Sequence, residues 1–385
     1  MSPTLVRNIV AMTASGCAAA ALVAAPSSPV AQYFSRTTPT DYLTHAQLAS
    51  EILSEGIRFP HFLWHVLVVA VHTAAPWLSW MDAAQGVVVV SYGLQGAALA
   101  WVIATHVGSP RHVSHLLGVV LLTLLFVTAA PVTILTWREE AFYFGYLNME
   151  SYASPTHALL KPLALVTFVL TCNGFSDRAN RRDGIVLAST SVLSALAKPS
   201  LTICLLPAAV ALSAWRWLRG QRQSIEYLAL ALVTPSALVV AWQYWLYFGQ
   251  EGSRIMFAPL LVMGYYANGL AAKFVMSILL PLTVLLVYRR EALRDPAIQL
   301  AWLQFALAAS YTYLLAESRE PLAGNFAWTG QIATYLLFVT SAVFALGRQT
   351  RSLGSVVCVV AFAFHVISGI LFFLYPFDWG RVPPA

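Results

Sequence analysis

The chain has 385 residues, 59% of them hydrophobic and only 10% charged, with a formal net charge of +6. Soluble domains hold about 25% charged residues, so this composition, with a mean hydropathy of +0.70, excludes a soluble globular protein and points to an integral membrane protein built as a helix bundle. Lys and Arg cluster in short loops, which reads as a topology signal and not as a nucleic-acid surface. The four cysteines (Cys17, Cys172, Cys204, Cys358) lie in or beside apolar segments without CxxC spacing, as packing residues do.

Residues 1–25 combine Arg7, an apolar stretch and small residues up to Ala25. This pattern fits a cleaved signal peptide or a first span; the hydrophobic remainder of the chain favours an uncleaved span. A polar island follows at 39–56. Thr40 is a candidate N-cap, Asp41 falls in the first turn and Gly56 is a candidate stop. Tyr42, Ala46, Ala49 and Leu53, flanked by Leu48 and Ile52, form an apolar stripe at helical spacing, with Thr44, Gln47, Glu51 and Glu55 opposite. Such a helix lies in the membrane interface. Asp41 and His45, one turn apart at the stripe's edge, fit a catalytic carboxylate just outside the bilayer. They also fit a connector helix whose Asp steadies its own N-terminus.

Further apolar runs lie near 61–76, 84–106, 114–136, 157–173, 184–197, 199–216, 225–247, 270–288, 297–316, 329–346 and 355–375. With the first run they predict about eleven to thirteen spans, some shorter than the roughly 20 residues of a full crossing. The basic loops 178–182, 216–222, 288–294 and 348–351 are assigned to the cytoplasm. Segments 137–155, 198–200, 248–268 and 317–328 and the C-terminal tail then fall outside. Counting 61–76, 84–106 and 114–136 as three crossings puts 137–155 on the side opposite Asp41, so one of these runs does not cross or two short helices are merged. The expected organisation is a single transmembrane domain over 1–385, with external loops at 26–60, 137–156 and 317–328.

Three more constellations bear chemistry. Tyr146, Asn148 and their aromatic neighbours suit sugar stacking and hydroxyl bonding, and the helix start at Ser154-Pro155-Thr156-His157, with Lys161 one turn on, is an anion site. An interfacial aromatic belt with a snorkelling lysine has the same composition. Lys198 stands between two apolar runs at a helix-breaking Pro199, which fits either a phosphate ligand lining a cavity or an external turn. The loop from Glu317 to Trp328 offers Arg319 as a phosphate clamp and Asn325 as a sugar contact, or is a solvated loop anchored by Trp328. His61, His65 and His72 share a helical face, but no carboxylate accompanies them and Glu139-Glu140 stands alone. No cofactor is expected, and a divalent metal stays open.

The first apolar span followed by Asp41-Tyr42-x-x-His45-x-x-x-Ala49 resembles the GT-C superfamily of multi-span glycosyltransferases, which includes protein O-mannosyltransferases and aminoarabinose transferases. The runs 154–162, 197–200 and 317–328 look like a pattern in bacterial GT-C-like membrane proteins. The resemblance is spread over most of the chain in short motifs. The chain departs from the family in its lone Asp and in lacking a large C-terminal soluble domain. The resemblance implies a bacterial cytoplasmic-membrane enzyme that transfers a sugar, with inversion, from a polyprenyl-phosphate donor to a glycan, lipid or protein acceptor outside. Asp41 would be the general base. Lys161, Lys198 and Arg319 would hold the phosphate, and His45, Tyr146, Asn148, His157 and Asn325 would shape the pocket. The alternative is a secondary transporter or flippase for an anionic or lipid-linked solute, with Lys198 at its midplane site.

Overall fold

The computed structural model describes residues 2–35, 40–57, 59–110, 112–133, 145–149, 152–176, 179–221, 223–246, 254–348 and 352–374. The Glu139-Glu140 pair, Arg178, Arg222 and Arg351 lie outside them.

Helix α1 (Pro3–Ala24) begins at Ser2, whose hydroxyl accepts from the Leu5 amide. It packs against α5 (Trp80–Val107) through small residues. A Cβ placed on Gly96 would stand 2.7 Å from both Ala19 Cβ and Ser15 O. In lipid, where apolar burial does not drive helix pairing, this close approach holds helices together. Gly96→Ala therefore costs about 1–3 kcal/mol and lowers the thermal midpoint in detergent. Gly86→Ala, on the same helix with nothing within 4 Å of the new methyl, leaves the midpoint level or higher, because Ala is the better helix former.

Two short helices follow α1: α2 (Pro29–Ser35) and α3 (Asp41–Glu55). α3 is capped as expected, with Thr40 accepting from the Leu43 amide and Gly56 closing it at φ 76°. Its buried face is Tyr42, His45, Ala46 and Ala49, while Leu53 is exposed. Next comes α4 (Leu63–Ala74), only 12 residues, or about 18 Å long, too short for a hydrocarbon core of about 30 Å. It ends beside the start of α5, where the His72 ring stacks on Trp80 at 4.0 Å. α5 then runs about 42 Å to an end beside Gly347. The run at 61–76 is thus not a crossing. This resolves the sequence's phase conflict, because α6 (Val113–Thr128) returns the chain to the end that holds Asp41. There the Tyr42 hydroxyl donates to Tyr152 O at 2.5 Å.

The chain continues through α7 (Pro155–Asn173), α8 (Arg181–Ala197) and α9 (Thr202–Leu218). Then come α10 (Ile225–Leu228), a π-helical turn (Ala229–Val233) and α11 (Thr234–Tyr244). Strand β1 (Ile255–Phe257) leads to α12 (Leu261–Tyr266), α13 (Leu270–Ser277) and α14 (Leu279–Val287). α13 and α14 meet at 63°, where Pro281 has no amide hydrogen to give to the carbonyl four residues back. After α15 (Arg289–Ala292) and α16 (Pro296–Leu314), strand β2 (Leu315–Glu317) pairs antiparallel with β1, Ile255 opposite Glu317. α17 (Ala327–Leu346) and α18 (Leu353–Leu374) complete the bundle.

The basic loops gather at one end. Arg216 Nη2 donates to Phe175 O at 3.2 Å, and Arg348 Nη2 lies 3.9 Å from Asp295 Oδ2. The opposite end carries α3, the α8–α9 turn, the β1–β2 pair and the start of α17.

The chain is a polytopic helical bundle and a multi-pass membrane protein. Among the described residues six segments are long and apolar enough to cross a bilayer: α1, α5, α7, Ile225–Tyr244, α17 and α18. The bent α13–α14 pair makes a seventh. This is fewer than the eleven to thirteen expected. α6, α8 and α9 also run between the two ends of the bundle, but with 16, 17 and 17 residues they fall below the roughly 20 of a full span and are not counted among the six. α16 has 19, but Gln299, Gln304, Ser310 and Thr312 interrupt its apolar character.

Candidate active site

Three chain breaks meet at the end opposite the basic loops. The first is the start of α3, where Asp41 occupies the first turn, a position favoured for a carboxylate. The second is the start of α7, with Ser154 at the N-cap and Pro155 in the first turn. The third is the turn after α8. The helix stops at Ala197, before Lys198-Pro199, and α9 begins only at Thr202.

Lys198 is the centre of this meeting. Its side chain is buried, and Nζ donates to Ser154 Oγ at 3.3 Å and to Thr156 Oγ1 at 3.4 Å. The same ammonium lies 3.8 Å from the centroid of the Trp328 ring, on the first turn of α17, a desolvated cation–π contact. Burial in this turn pushes Lys198 down to about 8, and the nearby charge of Asp41 works against that fall.

Asp41 faces the same group. Burial pushes its carboxyl up. The hydrogen bond and charge of His45, the charge of Lys198 and a bond from Ser154 outweigh burial, so Asp41 titrates below its ordinary value of 3.8. The carboxyl side chain keeps 41% of its surface open, so it can still be reached by an acceptor. Asp41 is a carboxylate at neutral pH. His45 Nε2 lies 3.4 Å from Asp41 Oδ1, and His45 Nδ1 lies 2.8 Å from His65 Nε2 on the first turn of α4. His61 stands beside them, pushed down to about 3 by burial and then by Lys198, and is neutral.

A cavity of about 250 Å³ opens at this cluster. Lys198, His61, Glu317, Asn325 and Trp328 form its polar side, with Glu317 Oε2 accepting from Asn325 Nδ2 at 3.0 Å. Ile203, Val240, Tyr244 and Phe326 form an apolar wall supplied by α9, α11 and the approach to α17. Gln243 pins this side, donating from Nε2 to Pro60 O and Ala195 O, each at 2.8 Å.

The sequence-predicted residues divide in three. Asp41, His45 and Lys198 come together at the cluster, and Asn325 lines the same cavity. His157 packs beside Trp328, ring centroids 5.4 Å apart and planes tilted by 42°. Lys161 lies one turn deeper and does not line the cavity; its ammonium sits 5.8 Å from the Tyr92 ring and 5.7 Å from the Tyr335 ring. Tyr146, Asn148 and Arg319 do not line the cavity either. Tyr146 lies under the Lys273 ammonium at 5.5 Å, on a segment whose Leu147 amide donates to Ser277 Oγ. Asn148 is buried on that segment, and Arg319 is exposed after β2.

Sequence reasoning missed Ser154 and Thr156 as partners of Lys198, and it left His61 and His65 outside the site. The helix-start signal at Ser154-Pro155 was readable; what it would touch was not. Among the described residues no group of three His, Cys, Asp or Glu is arranged to hold a metal ion.

A second cavity, of about 850 Å³, opens at the basic end between α5, α7, α16 and α17. It reaches Val102 and Leu165, one helical turn from Lys161.

The chain matches no protein-family model and no curated protein.

Proposed function

We propose that the protein is a membrane glycosyltransferase of GT-C type, transferring a sugar from a polyprenyl-phosphate donor to an acceptor hydroxyl. One observation carries the reading: a carboxylate, Asp41, and a buried ammonium, Lys198, share a cluster at the mouth of a cavity with an apolar wall. Each part has a task. The apolar wall accepts the start of the lipid chain. Lys198, with Ser154 and Thr156 beside it, binds the phosphate and takes up charge on it as it leaves. Asp41 takes the acceptor proton. The acceptor oxygen bonds to the anomeric carbon while the carbon–oxygen bond to phosphate breaks, its electron pair leaving with the lipid phosphate. The sugar centre inverts. Glu317 and Asn325 offer a hydrogen-bonded carboxylate and amide to sugar hydroxyls.

The acceptor is a glycan, lipid or protein, and the reaction belongs on the outer face of a bacterial cytoplasmic membrane. A second reading, a transporter or flippase for an anionic or lipid-linked solute, is favoured by one feature: the basic-end cavity that reaches within a turn of Lys161. Purified protein offered a panel of polyprenyl-phosphate sugars and mixed acceptors decides between them. Transfer of labelled sugar is the expected result. Binding of lipid phosphate without transfer, together with solute movement across proteoliposomes, would replace the transferase by the transporter.

A further inference from the structure

His65 is a buried titratable group that the reaction above does not use. Its side chain is fully buried, and the Phe59 ring stands edge-on to it at 4.3 Å, with Trp64 perpendicular at 5.3 Å. These rings hold the imidazole so that Nε2 meets His45 Nδ1 at 2.8 Å. Asp41, His45 and His65 therefore form a line joined through both ring nitrogens of His45.

Two imidazoles share such a bond only when one donates and the other accepts. Burial, above all, holds His65 neutral. Asp41 is an acceptor only, so the His45 nitrogen that faces its Oδ1, Nε2, carries a proton; a lone pair there would meet a carboxylate, which is repulsive. His65 Nε2 pairs with the other nitrogen of the ring, Nδ1, and so keeps Nε2 turned to Asp41.

We propose that His65 is a positioning residue for the transfer reaction: it holds the His45 ring with Nε2 turned to Asp41, and His45 thereby holds Asp41 ionised and aimed. This rests on the reading of Asp41 as the general base. One carboxylate oxygen is tied to His45, which leaves the other for the acceptor proton. The titratable groups facing the line are Asp41 from α3, His61 ahead of α4 and Lys198 from the α8–α9 turn.

The test uses the full-length protein with His65→Leu and His65→Gln. The Gln side-chain amide, which can donate or accept, restores a partner to His45; Leu offers none. Expected for His65→Leu is a fall in kcat of about tenfold, part of the ~10²–10⁴ that a positioned base contributes. The donor KM stays unchanged and the acid limb of the kcat–pH profile moves to higher pH. His65→Gln recovers most of both. In an Asp41→Asn background, His65→Leu adds no further loss. Equal losses in Leu and Gln variants, or a wild-type profile in His65→Leu, overturn the proposal. Nitrogen NMR of His45 reads its protonation without turnover: a proton on Nε2 in wild type supports the proposal, and a wild-type Nε2 without a proton overturns it. A wild type that transfers nothing removes the base assignment itself and leaves the protonation result standing, so the two failures are distinguishable.

Discussion

Replacing Asp41 by Asn lowers sugar transfer by about 10²–10⁴-fold while lipid-phosphate binding stays close to wild type. The amide has the shape of the carboxylate and can still accept from His45, so α3 and its contacts survive. What it lacks is the charge that takes the acceptor proton. The comparison must be made at pH 6, for a reason the site itself supplies. Asp41 raises the pKa of Lys198, which burial pushes down to about 8 even with that charge beside it. Without the Asp41 charge, Lys198 gives up its proton at a lower pH, and at pH 7.5 a loss of binding would mix with a loss of chemistry. In the wild type the acid limb of the rate lies below the ordinary carboxylate value of 3.8, because His45, Lys198 and Ser154 hold Asp41 ionised. A variant that transfers as fast as wild type at pH 6 removes Asp41 from the reaction.

The parts of this site that were legible in the sequence are those set by local rules. Thr40 and Gly56 bound α3, and Ser154-Pro155 starts α7. Lys198-Pro199 separates α8 from α9. In each case a side chain or a ring fixes the neighbouring backbone within a few residues. What could not be read depends on how distant segments meet. His65 has ligand-like spacing to His61, but its partner is His45 on another helix. Trp328 reads as a loop anchor and serves as the face over which Lys198 lies. The same limit explains α4. Leu63–Ala74 is as apolar as a span, and composition does not record whether a 12-residue helix goes on across the bundle or turns back at His72 and Trp80. Once it turns back, Asp41 and Ser154 fall at the same end, and the site exists. Tyr146 and Arg319 show the complementary limit: their residue types suit sugar and phosphate, but neither lines the cavity beside Lys198, Tyr146 lying under Lys273 of α13 and Arg319 being exposed after β2.

Lys198→Met weakens lipid-phosphate binding at pH 6–7 by about 10- to 150-fold, the worth of a charge-assisted hydrogen bond of roughly 1.5–3 kcal/mol. In the ligand-free protein it raises the thermal midpoint. The two effects have opposite signs because Lys198 is buried for its ligand and not for the fold. Its folded pKa of about 8 lies below the ordinary 10.5. Between those values the unfolded chain holds a proton that the folded chain does not, so stability rises with pH from about 8 to 10.5. Below pH 8 both states are charged and the fold bears the full cost of burying the ammonium, on the order of a few kcal/mol. Methionine removes that cost and keeps a polarisable side chain against Trp328. Wild-type binding of lipid phosphate also fades as pH climbs through 8 and Lys198 loses its charge, whereas the Met variant binds weakly and without that step. Thermal melting in detergent and a binding titration across pH 6–9 check both halves. A lysine kept only to tie the α8–α9 turn to Ser154 and Thr156 would behave otherwise: its Met variant would melt earlier, and lipid phosphate would bind both proteins alike.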